Sequence, residues 1–416
     1  MTYIEFFDAD ALKNVCTCLT YTPQRVIYIG DNAKVMQRHI ADYDRVFSAR
    51  GHRIDFMFKT VSKSNLEQAV KLLTELVETY DDCVFDITGG GEILNVALGV
   101  VCARFPERDI QIHRVNLRNS KVSDCDKDGV TVYRDIPHLT VDELIRIYGG
   151  EVVYGGVEDI KTYRWDMNPE FVEDIHKMWQ ICRKKVRDWN VQIGIFEAME
   201  KGGTKVGDGL MTVATRAAVD FELIKANSKY KKKMEVIDRL LQSGLLTCFD
   251  DTDMNAIRVG YKNPQVKRCL TKAGQALEMI VYAVAGGLKE QDGQPVYGDA
   301  RNGVTIDWDG EYYEEEETGN TINEIDVILM HDALPIFISC KNGDVTAEEL
   351  FKFHTVAERF GGQYARKVLV ATAIKGLKKE ANIRQRTRDL HICFVDDLQE
   401  LDNAELAKRL KNLWNN

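Results

Sequence analysis

The chain has 416 residues, of which 44% are hydrophobic and 29% charged, and its formal net charge is −10. That length is too great for one hydrophobic core and predicts two or three domains of ordinary globular composition. The negative charge excludes a global basic field for nucleic acid, and no apolar run is long enough to span a membrane.

The first 150 or so residues alternate strand and helix signals. Arg25 to Ile29 is a β-branched run ending in Gly30-Asp31-Asn32, and a helical segment follows to about Ala49, where Gly51 breaks it. Ile54 to Phe58 is the next strand. Ser64-Asn65-Leu66-Glu67 reads as a capping box for a helix through Tyr80. Cys83 to Ile87 runs straight into Thr88-Gly89-Gly90-Gly91-Glu92, then come a helix from Ile93 to Arg104 and a strand from Ile110 to Val115. Such alternation predicts a parallel sheet with helices on both faces. Asp128-Gly129 predicts an edge hairpin, and Thr140-Val141-Asp142-Glu143 caps one more helix ending at Gly149-Gly150.

In an open sheet of this kind, ligands bind at the carboxyl ends of the strands. Thr88 to Gly91 sits there, before a helix start whose free N–H groups favour phosphate. No GxGxxG follows Gly30 and no Gly-Lys-Ser/Thr follows Gly91, which excludes a dinucleotide fingerprint and a Walker loop. The loops Gly30-Asp31-Asn32 and Asn116-Leu117-Arg118-Asn119 should meet the same rim, so the candidate ligand contacts are Gly30, Asp31, Asn32, Thr88, Gly89, Gly90, Gly91, Asn95 and Asn116.

Residues 151–265 read as a connector that is mainly helical from 168 to about 245, with Lys201 to Gly209 as a linker or mobile loop. Within it, a helix at Val236 to Leu246, extended segments at Thr247 to Phe249 and Ala256 to Tyr261, and a further helix have the order of a winged-helix module. Basic residues cluster at Arg183-Lys184-Lys185, Lys231-Lys232-Lys233, and Lys378-Lys379 with Arg384, Arg386 and Arg388. Each cluster could equally be the solvated face of a helix.

Residues 266–416 form the last predicted domain. Leu277, Ile280, Val281 and Val284 mark a buried helical stripe with Glu278 at its edge, where it needs a metal or a salt-bridge partner. Ile325 to Leu329 and Leu334 to Ser339 read as two strands around His331-Asp332, which brings Asp326 and Lys341 to one cleft. A carboxylate to hold a divalent metal and a lysine to steady a phosphate suit phosphodiester cleavage, and a solvated ion pair is the alternative. Thr346-Ala347-Glu348-Glu349 opens a helix that ends at Gly361-Gly362, its glutamates complementing the helix dipole, and strands follow at Val368 to Ala371 and Ile392 to Val395.

The cysteines, ten in all, contain no CxxC pair and lie mostly in apolar runs, so they predict neither a zinc site nor a disulfide framework. They read as small buried hydrophobes in a reducing cytoplasm. Met1-Thr2-Tyr3-Ile4-Glu5 has no secretory pattern, which also predicts a cytoplasmic protein.

The run Gly274…Leu277-Glu278, then Asn323-Glu324-Ile325-Asp326-Val327, Ile338-Ser339-Cys340-Lys341 and Gly361-Gly362 resembles the restriction-endonuclease-like PD-(D/E)xK nucleases. With Phe85-Asp86-Ile87-Thr88-Gly89-Gly90-Gly91 added, essentially the whole chain resembles the CRISPR ancillary nucleases, which join a CARF sensor domain to such a nuclease. The resemblance implies an α/β protein: a Rossmann-like CARF domain at 1–150, a helical and winged-helix-like connector, and an α/β restriction-endonuclease-like domain. It further implies a homodimer in which a cyclic oligoadenylate, most often cyclic tetra-adenylate, switches on cleavage of DNA, with RNA as a second substrate class. On this resemblance Asp326 and Glu278 are ligands of Mn2+ or Mg2+, Lys341 is the catalytic lysine, and Thr88 to Gly91 form part of the messenger pocket.

One residue departs from the pattern. Two positions before the lysine the family carries Glu or Asp, whereas this chain has Ser339, whose hydroxyl is a poor ligand for a hard cation. Glu324, or Glu349 from the following helix, is expected to fill the place, and Glu324 completes the candidate metal set. The other reading is a messenger-sensing DNA-binding regulator that uses residues 234–270 and carries a degenerate nuclease domain.

Overall fold

A computed structural model of the chain describes every residue except 63, 126–128, 157–158, 160, 254, 314–319, 373–376 and 414–416, and omits the side chains of 377–379. The N-terminal part is built from β1 (Thr2–Phe6), α1 (Ala11–Tyr21), β2 (Arg25–Gly30), α2 (Ala33–Ala49), β3 (Asp55–Thr60), α3 (Leu66–Thr79), β4 (Cys83–Asp86), α4 (Glu92–Arg104), β5 (Gln111–Asn116), β6 (Lys121–Cys125), β7 (Thr131–Asp135) and α5 (Val141–Ile147). Its sheet has the order β3-β2-β1-β4-β5-β6-β7, parallel through β5, with β6 and β7 as an antiparallel edge hairpin. Successive strand residues face opposite ways. Ile4, Phe6, Ile27, Ile29 and Phe85 pack in one core with α3 and α4, while Tyr3, Val26, Tyr28 and Val84 pack in a second core with α1, α2 and α5.

Of the local details, one expectation needs correction, one is met, and one pair of elements was not foreseen. Asn65, not Ser64, caps α3: its side chain accepts from Gln68 N at 2.9 Å, because the helix starts at Leu66. The edge hairpin is present, although Asp128 lies outside the described residues. The central strand β1 and the helix after it have no counterpart in the expected elements.

The connector contains α6 (Pro169–Lys184), α7 (Val186–Gly202), β9 (Thr204–Val206), β10 (Met211–Ala214), α8 (Arg216–Lys225), α9 (Met234–Gln242), β11 (Leu246–Asp250), β12 (Ile257–Tyr261) and α10 (Pro264–Thr271), preceded by the short strand β8 (Glu151–Val152). Residues 201–209 are not a linker. They carry β9 and the turn into β10, with Gly207 and Gly209 at φ 66° and 82°, and the two strands join β11 and β12 in one antiparallel sheet.

The C-terminal part comprises α11 (Gln275–Gly286), β13 (Asp299–Asp307), β14 (Ile322–His331), β15 (Leu334–Lys341), α12 (Ala347–Gly361), β16 (Arg366–Ala371), α13 (Leu377–Asp389), β17 (Ile392–Val395) and α14 (Asn403–Lys411). Its sheet has the order β17-β16-β15-β14-β13-β8. One face packs with α11 and the connector helices α6 and α7. The other face belongs to the second N-terminal core: Tyr43, Leu144, Ile147 and Tyr148 share it with Val304, Phe337, Phe353 and Phe360. At this junction the buried Asp10 carboxylate accepts from Tyr148 Oη at 2.9 Å and from Gln363 N at 3.3 Å. Among the described residues no helix is long and apolar enough to cross a membrane.

Candidate active site and ligand rim

Strands β14 and β15 pair in the register Val327↔Ile338, which sets Asp326 across from Ser339. Beyond that pair the Asp326 side chain takes over the bonding: Oδ2 accepts Cys340 N at 2.6 Å and Ser339 Oγ at 3.2 Å. On the other side, the β13–β14 register sets Gly303 across from Asp326, and Gly303 has φ 58°, a left-handed conformation that favours glycine. Strand β14 changes face at this point. Ile325 packs toward the N-terminal part, whereas Val327 and Leu329 pack on the opposite side with α11. Strand β13 does the same between Ala300 and Val304. The break in the two-residue period lies at the residue that the motif singles out.

Glu278 reaches the same place from the first turn of α11 and is only 5% exposed. Its Oε2 accepts Gln275 Nε2 at 3.1 Å, and Gln275 also donates to Asn302 Oδ1 at 2.9 Å. Asn302 Nδ2 in turn donates to the main-chain carbonyl of Asp326 at 3.0 Å. Burial first, and then the charge of Asp326, push the Glu278 carboxyl up to about 8. Burial also raises Asp326, against the pull of Lys341 and the Cys340 N–H.

Two lysines flank the carboxylates. Lys341 Nζ lies 3.1 Å from Glu349 Oε1, and Lys272 Nζ lies 2.6 Å from Glu324 Oε1. Burial works against each charge, but Asp326 and Glu349 outweigh it at Lys341, and Glu278 and Glu324 outweigh it at Lys272, so both ammonium groups are held above the ordinary lysine value. Lys341 thus feels the charge of Asp326 without forming a direct ion pair with it, which differs from the ion-pair reading of the two residues. Glu324 and Glu349 stand near the cluster, each with an oxygen engaged by a lysine.

Glu278, raised by burial and by the charge of Asp326, and Asp326, raised by burial, suit a hard divalent cation, whose charge would stabilise both carboxylates. Asp326 Oδ1 and Glu278 Oε1 accept no hydrogen bond from any described residue. The fit is that of a pair: among the described residues no group of three or more His, Cys, Asp or Glu side chains is placed to hold a metal. Ser339 Oγ is spent on Asp326.

At the other candidate site, the ends of β2, β4 and β5 bring the Gly30, Thr88 and Asn116 loops to one edge, with the end of β1 between β2 and β4. Gly89 and Gly90 press on β1: a Cβ on Gly89 would stand 2.1 Å from the Phe6 carbonyl oxygen, and one on Gly90 (φ 74°) 2.6 Å from Phe6 Cβ. Thr88 Oγ1 accepts Val115 N at 2.7 Å and ties the β4 loop to β5. Asn32 caps α2 by accepting from Lys34 N and Val35 N, and Asn116 accepts from Asn119 N, so both side chains also shape their own turns. Gly91 is the N-cap of α4, Asn95 is exposed on its first turn, and Asp31 is exposed before α2. The β1–α1 loop adds Asp8 and Lys13, paired at 3.2 Å, which sequence reasoning missed; Asp10 as an N-cap before Ala11-Leu12 was the available signal. Directly beneath the rim, Glu5 and Asp86 are buried side by side on β1 and β4.

Half of the basic residues in the two connector clusters are ion-paired. Lys185 pairs with Glu235, Lys232 with Asp251 at 2.7 Å and Lys233 with Asp188 at 2.6 Å. The segment joining β11 to β12 in the winged-helix-like module carries Asp251 and Asp253 after Asp250, of which Asp250 pairs with Arg258 at 3.5 Å. The side chains of Lys378 and Lys379 lie outside the described residues, while Arg384 pairs with Glu380 and Asp396.

No protein-family model matches the chain, nor does any curated protein sequence. Solved structures do. Protein VC1899 from Vibrio cholerae superposes with a TM-score of 0.69 at 15% identity, over 100% of this chain and 98% of that one. Can2 from Sulfobacillus thermosulfidooxidans, solved in complex with cyclic tetra-adenylate, superposes with a TM-score of 0.65 at 16% identity, over 98% of this chain and 99% of that one. The chain has the fold of Can2. It spans the N-terminal sheet, the connector and the C-terminal sheet alike, in the α/β architecture expected from the sequence.

Proposed function

We propose that this chain is a nuclease of CRISPR defence, switched on by a cyclic oligoadenylate bound at the Thr88–Gly91 rim. The observation that carries the reading is the buried Glu278–Asp326 pair with Lys341 and Lys272 beside it, at the point where β13 and β14 change face, in a chain whose fold is that of a structure holding cyclic tetra-adenylate.

The reaction is hydrolysis of a phosphodiester: water adds at phosphorus, one P–O bond breaks, and a phosphate monoester and a hydroxyl remain. Asp326 and Glu278 would hold Mn2+ or Mg2+, and that cation would polarise the phosphate and make water a better nucleophile. Lys341 is held protonated above the ordinary lysine value, so it offers a full positive charge to the phosphate oxygens as negative charge builds there. Ser339 and the Cys340 N–H fix one oxygen of Asp326 and leave the other open. The substrate is DNA, with RNA as a second class.

The activator, cyclic tetra-adenylate, has two-fold symmetry, so the pocket is completed by the rim of a second copy in a homodimer. It shifts the chain to its active state only as far as it binds that state more tightly. Cleavage of plasmid and single-stranded DNA with Mn2+ and with Mg2+, each with and without cyclic tetra-adenylate, tests the reading. Ring-dependent cleavage is expected, lost in Asp326→Ala and in Lys341→Ala while the ring still binds. Absence of ring-dependent cleavage with either metal would sink it.

A further inference from the structure

We propose that Gln275 and Asn302 are positioning residues that hold Glu278 and Asp326 as a two-carboxylate metal site through a neutral amide bridge. The inference rests on the nuclease reading of that pair. Both side chains are buried, at 2% and 3% exposed, although each carries a polar group that is costly to bury unless bonded. Their orientation is set by chemistry. Gln275 Nε2 faces two acceptors, Glu278 Oε2 at 3.1 Å and Asn302 Oδ1 at 2.9 Å, and Asn302 Nδ2 faces the Asp326 carbonyl at 3.0 Å. A continuous path of donors and acceptors therefore runs from the helix-borne carboxylate to the strand that carries the other.

The alternatives for this role are occupied. Glu324 Oε1 is paired with Lys272 and Glu349 Oε1 with Lys341, while Ser339 Oγ donates to Asp326. Apolar packing seats α11 on β14, with Leu277, Ile280 and Val281 in one core with Val327 and Leu329, and the amide bridge is the polar link between the two carboxylates. Gly303 makes it possible: its left-handed turn lies in the ladder across from Asp326, whose carbonyl is taken by the neighbouring Asn302 side chain. Gly274, the N-cap of α11 at φ 83°, sits close under the same carboxylate, where a Cβ would stand 3.3 Å from Glu278 Oε1. Groups that orient metal ligands in this way typically contribute about ten- to hundredfold in metal affinity.

The test is Mn2+ binding to the full-length chain, followed by calorimetry and by the electron paramagnetic resonance signal of free Mn2+, alongside cleavage kinetics. The wild type is expected to bind Mn2+ and Asp326→Ala to lose it. Gln275→Met, which keeps length and removes the donor, is expected to weaken Mn2+ binding about tenfold or more and to lower kcat with KM for nucleic acid unchanged. Asn302→Ser, which removes the amide, is expected to act in the same direction, and the double variant to be no worse than the stronger single, because one bridge is being cut. Retained binding of cyclic tetra-adenylate reports that each variant is folded. Wild-type Mn2+ affinity in Gln275→Met and Asn302→Ser, with binding lost in Asp326→Ala, would overturn this inference and leave the nuclease reading standing. A wild type that binds no Mn2+ would overturn both.

Discussion

Glu349 joins Lys341 across 3.1 Å through one carboxylate oxygen, while its other oxygen accepts the Thr346 N–H and hydroxyl, each at 2.8 Å, in the capping box of α12. One side chain thus ties the start of a helix to the lysine at the end of β15. Glutamine also serves at this position of a capping box. Glu349→Gln is therefore expected to cost less than about 1 kcal/mol in denaturant unfolding, against about 1 kcal/mol for Thr346→Ala. It is expected to retain cleavage. A loss as complete as that of Asp326→Ala would instead place Glu349 among the metal's ligands.

Glu324 gives the matching test on the other lysine. With its Oε1 on Lys272 rather than in the carboxylate pair, Glu324→Gln should leave cleavage within about tenfold of wild type. Asp326→Asn should lower kcat by at least about a hundredfold, the scale of removing a group that stabilises developing charge. Equal losses in the two variants, measured side by side, would place Glu324 among the metal's ligands.

Asp86 makes stability pH-dependent. Burial raises its carboxyl from 3.8 to about 6, so folding favours the protonated form. Its contribution is complete below the unfolded value and is lost as pH rises through about 6. That difference is worth at most about 3 kcal/mol. Asn resembles the protonated acid and keeps an acceptor for the Thr88 N–H, so the stability of Asp86→Asn minus that of wild type should grow between about pH 4 and pH 7. Urea unfolding at both ends of this window measures it, and a constant difference would refute the assignment.

Gly89 is held by contact and not by conformational freedom. A methyl group there meets the Phe6 backbone, which has no room to give. Gly89→Ala should cost about 3 kcal/mol and weaken cyclic tetra-adenylate binding in step, read by melting and by ligand titration. Gly91→Ala, where a Cβ meets nothing within 4 Å, is the internal control for the collision.

Much of this was legible in the sequence because apolar runs ended in sharp breakers. The β2 and β4 runs stop at Gly30 and at Thr88-Gly89-Gly90, and the β14–β15 hairpin carries its motif in plain view. What escaped was structure whose own residues contradict the pattern. Strand β1 is buried throughout yet contains Glu5, a charge that interrupts its apolar signal. Strand β13 carries Arg301, Asn302 and Gly303, polar or flexible residues that break its apolar signal, and so does not read as a strand. Strand β9 is exposed along its whole length, which made its hairpin look like a linker. The Ser339 substitution was visible at once, but the amide bridge was not, because Gln275 and Asn302 are 27 residues apart and meet only through the fold.

The second hydrophobic core belongs to neither half alone. Tyr43, Leu144 and Tyr148 close it from one side, Phe353 and Phe360 from the other, and Asp10 bonds across the seam to Gln363. Cut near residue 150, each fragment would present a raw apolar wall to water. The two halves of this architecture are therefore poor interchangeable cassettes: a transplanted N-terminal half must bring a floor that fits the α12 face beneath it, and lineages that trade such halves should change both surfaces together.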